Sequence, residues 1–87
     1  SRPSVVIKDS AAASIAHGAP LLRPGIVNMP ENLNPGDEVS LNSIKGELVA
    51  TAEMLLGSQE ILSIEQGEVA RSTAVLLPTG VYPRHKK

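Results

Sequence analysis

The sequence predicts a small, mainly β domain in which two short helices close the ends of a barrel-like sheet. Three observations carry this expectation. Short β-branched or alternating runs recur along 87 residues, set apart by Gly- and Pro-bearing turns. Only two brief stretches, 9–16 and 58–66, read as helical. The chain holds no Phe, Trp or Cys and one Tyr, so its core is aliphatic and depends on Val, Ile, Leu and Ala. A domain this size buries only about 60–65% of the surface its unfolded chain exposes, which leaves little core to spare.

Val5-Val6-Ile7-Lys8 is a β-branched strand. Asp9 or Ser10 then caps a helix running through Ala16, with Ile15 its one large apolar residue. Such a helix is too short to stand alone and must pack on a sheet. Gly18 falls where a left-handed C-cap belongs. The segment from His17 to Pro24 then reads as a rigid, knuckled loop, stiffened by Pro20 and Pro24, with Arg23 as its cation. Gly25 permits a close backbone approach. Residues 25–29 read as a second strand ended by Pro30, and Asn32–Asp37 as a Pro-Gly turn.

Glu38–Ile44 alternates through Val39, Leu41 and Ser43. Lys45-Gly46 turns the chain, and Glu47–Leu56 places Leu48, Ala50, Ala52, Met54 and Leu56 on one face, so 38–56 is a β-hairpin. Ser58 reads as an N-cap with Glu60 in the first helical turn, and Gly67 as the helix end. Glu68–Leu77 is the last long strand, apolar on both faces toward its end, which suits a central position. Val81–Lys87 is an extended basic tail.

The net charge of −1 argues against nucleic acid, but the charge distribution does not. Residues 1–25 carry Arg2, Lys8 and Arg23 against Asp9. Residues 68–87 carry Arg71, Arg84, Lys86 and Lys87 against Glu68. The middle holds Lys45 against seven carboxylates, a balance of −6. Ends brought together, as small domains often bring them, would make a basic patch on a nearly neutral protein. The absence of Cys excludes disulfides and thiolate metal sites and fits an intracellular protein. No apolar run reaches the roughly 20 residues of a membrane span, and no signal-peptide pattern opens the chain. Ser1 in place of Met points to a domain cut from a longer protein.

Catalysis finds no support. A general base needs a partner and a nucleophile at fixed geometry, and His17 and His85 are the only histidines. His17 reads as a helix-terminal or loop-packing residue, with RNA contact the alternative. The carboxylates are scattered over turns and polar strand faces, and neither metal-ligand spacing nor a phosphate-cradling glycine motif is present. Tyr82 suits packing over an apolar barrel end, or stacking on a base. Arg84, His85, Lys86 and Lys87 form a solvated tail or a phosphate grip. With so few aromatics, any RNA recognition would proceed by backbone and shape.

The order of several motifs points further. Val6-Ile7-Lys8-Asp9-Ser10-Ala11, His17-Gly18-Ala19-Pro20-Leu21, Pro24-Gly25-Ile26, Gly36-Asp37-Glu38-Val39, Lys45-Gly46-Glu47-Leu48-Val49-Ala50 and Val81-Tyr82-Pro83-Arg84 resemble a PUA domain, named for pseudouridine synthase and archaeosine transglycosylase. Within that family the chain is most similar to the C-terminal PUA domain of dyskerin-type pseudouridine synthases. The resemblance spans about residues 4–84 of one domain covering 1–87, with 85–87 a basic tail.

The resemblance implies a β pseudo-barrel with two helices that is non-catalytic by itself and needs neither cofactor nor metal. It implies RNA as partner, an H/ACA guide RNA or a tRNA, gripped through Lys8, His17, Gly18, Ala19, Pro20, Leu22, Arg23, Pro24, Gly25, Tyr82, Arg84, His85 and Lys86. The parent's catalytic domain and ribonucleoprotein subunits are further expected partners, and the isolated domain is expected to be a monomer that contacts no membrane. The location would be cytoplasmic in an archaeon and nucleolar in a eukaryote. The rival reading is a protein-interaction module docking through Pro20–Leu22.

Overall fold

The computed structural model describes residues 2–77. Six strands form one curled sheet: β1 (Ser4–Ile7), β2 (Leu21–Leu22), β3 (Ile26–Asn28), β4 (Glu38–Ser43), β5 (Leu48–Met54) and β6 (Glu68–Val75). Their spatial order is β2-β6-β5-β4-β1-β3. Neighbours run antiparallel except β1 and β4, which pair in parallel from Ser4 opposite Ser40 to Ile7 opposite Ser43. Helix α1 (Asp9–Ala16) packs against β5, β2 and β6, and helix α2 (Ser58–Leu62) lies in the β5–β6 connection.

The core is aliphatic, as the composition requires. Val5, Ile7, Val39, Leu41, Val49, Met54 and Val69 from the sheet meet Ile15 of α1 and Ile61 of α2, all essentially inaccessible to solvent. The buried side of α1 is Ala12, Ala13 and Ile15. Small side chains let this short helix lie close to the sheet, and that packing supplies the stability its length cannot.

The turns are built as their glycines require. Gly36 and Gly46 adopt φ of +89° and +91°, a region that other residues enter only at a cost. The Gly36 N–H donates to the Met54 carbonyl (2.7 Å) and Asp37 Oδ2 accepts from the Asn34 N–H (2.9 Å), which closes the turn into β4.

Several local expectations need correction. The N-cap of α1 is Lys8, without a side-chain cap bond, and Asp9 sits inside the first turn, where its charge favours the helix dipole. Ser58 does not cap α2: the N-cap is Gly57, whose N–H donates to Glu60 Oε1 at 3.0 Å. Ser58 is buried instead, its hydroxyl donating to the Pro30 carbonyl (2.7 Å) and accepting from the Leu33 N–H (3.0 Å). The helix stops at Leu62, before Gly67.

The alternation assigned to β5 breaks at a bulge. Leu41 opposes Ala50 but Asn42 opposes Leu48, so Val49 is the extra residue. Leu48 therefore turns outward, 42% exposed, while Val49 and Ala50 are both buried. Strand β6 lies inside the sheet, but its partner β2 is only two residues long. Its apolar end is consequently exposed, at Val75 and Leu76.

Candidate nucleic-acid interface

The chain between α1 and β3 is folded into a tight loop by identifiable bonds. At the end of α1, the Gly18 N–H donates to the Ile15 carbonyl (2.9 Å) and the Ala19 N–H to the Ser14 carbonyl (3.0 Å). With Gly18 at φ +98° this is a Schellman cap, as the position of that glycine predicts. The next residues do not remain loop: Leu21 and Leu22 pair with Ala70 and Glu68 of β6, and the Arg23 N–H donates to the Gly67 carbonyl at 2.8 Å. A 3-10 turn at Arg23–Gly25 then brings the backbone back onto α1.

Gly25 is what allows the return. A β-carbon placed there would lie 2.7 Å from Ala11 Cβ and 3.2 Å from Leu21 Cδ1. The Gly25 carbonyl accepts from the Lys8 N–H (2.9 Å), while the Lys8 carbonyl accepts from the Ala12 N–H (2.9 Å). Lys8 is thus held through its backbone on both sides, with its side chain exposed.

The result is a groove of about 300 Å³ between α1 and the loop. Lys8, Ser10, Ala11 and Ser14 form the helix side; Ala19, Pro20, Leu22, Pro24 and Gly25 form the other. Six of the predicted contact residues converge here: Lys8, Ala19, Pro20, Leu22, Pro24 and Gly25. The lining is small, largely apolar and rigid, with a cation at its rim. Such a surface admits a close-lying backbone or a flat ring, and Lys8 offers an ammonium to a phosphate.

A second cavity of about 260 Å³ adjoins the first through Ala19 and Pro20, and Gly18, Glu68, Arg71 and Ser72 complete it. Arg71 Nη2 lies 3.8 Å from Glu68 Oε1, and both side chains are largely exposed. An exposed pair of this kind contributes little to stability, so the guanidinium is free to take a better acceptor. The Ser72 hydroxyl is buried without a hydrogen-bond partner among the described residues. Neither Arg71 nor Ser72 was among the predicted contacts, although Arg71 belongs to the basic C-terminal part of the chain.

The remaining predicted residues divide. His17 sits at the cap, where its Nδ1–H donates to the Ala13 carbonyl at 2.8 Å, leaving Nε2 as the free ring nitrogen. Arg23 does not line the groove. Its Nε–H donates to the carbonyls of Ile61 (2.8 Å) and Ile64 (3.2 Å), so it terminates α2, and it borders a different cavity. Tyr82, Arg84, His85 and Lys86 lie outside the described residues.

Among the described residues, no group of three His, Cys, Asp or Glu is placed to hold a metal ion. No helix among them is long and apolar enough to cross a membrane. The one described histidine bonds a backbone carbonyl rather than a hydroxyl or carboxylate, so no nucleophile–base pair forms around it.

Comparison with known proteins identifies the family of this fold. The PUA domain family matches residues 3–76. A probable tRNA pseudouridine synthase B from Pyrobaculum aerophilum is 40% identical over 81 residues, which is 93% of this chain and 24% of that protein. Its counterpart from Methanococcus maripaludis is 38% identical over 80 residues, with the same 24% covered. The chain therefore spans about a quarter of the length of the curated relatives it matches.

Among solved structures, an archaeal box H/ACA sRNP Nop10–Cbf5 complex superposes with a TM-score of 0.92 at 36% identity, covering 98% of this chain and 28% of that one. An H/ACA ribonucleoprotein bound to a substrate RNA containing 2′-deoxyuridine gives 0.91 at 38% identity, covering 95% and 26%. By sequence and by fold alike, this chain belongs to the PUA domain family.

Proposed function

We propose that this chain is an RNA-binding domain, non-catalytic by itself, serving as the RNA-recognition part of a pseudouridine synthase. The observation that carries the reading is the convergence of Lys8, Ala19, Pro20, Leu22, Pro24 and Gly25 on one rigid groove. The superposition on an H/ACA particle solved with RNA supports it. The groove accepts one strand of a structured RNA close to the protein backbone. Lys8 and Arg71 hold phosphates on either side of the Ala19–Pro20 ridge, and the small residues read shape rather than base identity. An H/ACA guide RNA or a tRNA end fits this description. Pseudouridine formation itself belongs to the parent polypeptide.

The test is a titration of a fluorescent RNA stem carrying a 3′ ACA tail, beside the same stem lacking ACA, at about 50 and about 200 mM salt. The reading requires affinity that falls as salt rises. It further requires a Lys8→Ala variant that binds more weakly and has a log–log salt slope smaller by roughly one unit, the signature of a single lost phosphate contact. ACA dependence points to the guide RNA; its absence points to a tRNA end. Binding insensitive to salt and to Lys8 would instead favour the docking reading, for which Leu22, half exposed at the groove, is the anchor.

A further inference from the structure

Strand β3 and the end of α2 frame a cavity of about 350 Å³ that shares no lining residue with either α1 groove. The RNA reading leaves it unused. Its apolar walls include Val27 and Leu62, 50% and 60% exposed, with Met29 and Pro30 beside them. Its polar groups are Arg23, Asn28 and Glu31. The walls are held in place. The buried Ser58 hydroxyl fastens the Pro30 carbonyl, and Arg23 is fastened through Nε to the carbonyls of Ile61 and Ile64. No hydrogen bond or ion pair among the described residues engages its terminal Nη groups; the ion pairs there are Arg2–Glu38 and Arg71–Glu68. A half-buried guanidinium is thus aligned by neutral acceptors and keeps donors without a counter-ion. Asn28 adds to them. Its Oδ1 accepts from the Met29 N–H at 3.0 Å, which leaves Nδ2 for an outside acceptor.

We infer that this cavity is a binding site for a single carboxylate carried on a short apolar body. Charge selects the carboxylate: a planar guanidinium matches its two oxygens, and the Asn28 amide supplies a further N–H. Val27, Leu62, Met29 and Pro30 select the apolar body, whose burial supplies affinity that a partly exposed ion pair alone does not. Glu31 limits the charge. It lies on the same wall, so a polyanion such as an RNA strand is repelled where one carboxylate held by Arg23 is tolerated. The volume falls at the lower end of the roughly 300–1,000 Å³ typical of small-molecule sites. Two sources carry such a group: a free short-chain acid, or an acidic side chain set among aliphatic residues in a peptide. Neither Lys8 nor Arg71 lines this cavity, so the site stands or falls apart from the RNA reading.

The test is to titrate the isotopically labelled 87-residue chain with hexanoate and follow its amide chemical shifts. Acetate carries the charge without the body, hexan-1-ol the body without the charge, and inorganic phosphate a different anion. The blocked peptide acetyl-Leu-Glu-Leu-amide carries the carboxylate on a side chain. Saturating shifts at Val27, Asn28, Glu31 and Leu62 are expected, with hexanoate bound at least about tenfold more tightly than acetate, hexan-1-ol or phosphate. Arg23→Ala should abolish saturation. Leu62→Ser, at an exposed position that leaves the fold intact, should weaken hexanoate by about fivefold, and it decides the matter where Arg23→Ala does not fold. Tighter binding of the peptide than of hexanoate assigns the site to an acidic peptide; the reverse order assigns it to a free acid. Shifts that do not saturate by about 50 mM hexanoate would overturn the inference. So would equal affinity for hexan-1-ol or phosphate, or a hexanoate affinity unchanged by Leu62→Ser.

Discussion

Replacing Gly25 by Ala probes the contact that shapes the groove. The added methyl would sit 2.7 Å from Ala11 Cβ, whereas carbon atoms pack best at about 3.5–4.0 Å. The turn and helix α1 must therefore separate by roughly 1 Å. Neither yields easily: Ala11 Cβ is fixed to the helix backbone, and the Lys8 N–H to Gly25 carbonyl bond of 2.9 Å ties the two segments together. Gly25 is not among the positive-φ glycines, so Ala meets no left-handed strain there and the steric effect is isolated. Overpacking of this kind costs about 1–3 kcal/mol, offset by about 0.4–1 kcal/mol of reduced unfolded-state entropy. A net loss of about 1–2 kcal/mol lowers the melting temperature of a domain this size by roughly 4–16 °C.

Urea and thermal denaturation followed by circular dichroism measure the loss. The companion variant is Ala11→Gly, which costs about 1 kcal/mol through helix propensity but removes the atom that is struck. The double variant should be more stable than the sum of the single losses by over about 0.5 kcal/mol. A Gly25→Ala protein that melts with the parent, or a cycle that is additive, would refute the close approach.

Arg23→Ala should lower stability by about 1–2 kcal/mol, the lower end for charged hydrogen bonds because the side chain is only half buried. RNA affinity of the folded variant should change less than in Lys8→Ala, as filter binding well below the melting transition would show. Ser58→Ala leaves the Leu33 N–H and the Pro30 carbonyl without their shared partner and should cost about 1–3 kcal/mol in denaturant titrations. Gly18→Val, at φ +98° with open space around the new side chain, should lose about 1–2 kcal/mol through backbone strain alone. Gly18→Asn should lose distinctly less, and equal losses from both would show that strain is not the cause.

The parts of the fold legible in sequence are those governed by local physics. Val5–Ile7 is β-branched, Gly36 and Gly46 occupy turns that demand positive φ, and Gly18 directly follows the C-cap of a helix. Each names its structure without reference to distant chain. Apart from the exact helix caps, the misread features depend on a distant partner. Leu21–Leu22 is a strand only because β6 offers it an edge. Val49 is buried because the bulge shifts the register with β4, and that offset has no local signature. Ser58 has the composition of a cap, yet its hydroxyl is drawn to Pro30 and Leu33, 28 and 25 residues away.

The site follows the same division. The small, rigid loop could be read from its Gly and Pro spacing, and the groove forms from it. Arg23 resembled a free cation, and only its tertiary contact with the α2 carbonyls reveals that it holds a helix end. Arg71 belongs to the basic C-terminal part of the chain, but its place beside Ala19 and Pro20 depends on the β2–β6 pairing.

The most direct test of the central claim is to map the RNA-bound surface by amide chemical-shift perturbation, titrating the labelled chain with the stem bearing a 3′ ACA tail. Perturbations concentrated at Lys8, Ser10, Ala11, Ala19, Leu22, Gly25 and Arg71, and sparse at Val27 and Leu62, are the predicted result. Shifts concentrated on β3 and α2, with the α1 groove silent, would contradict it.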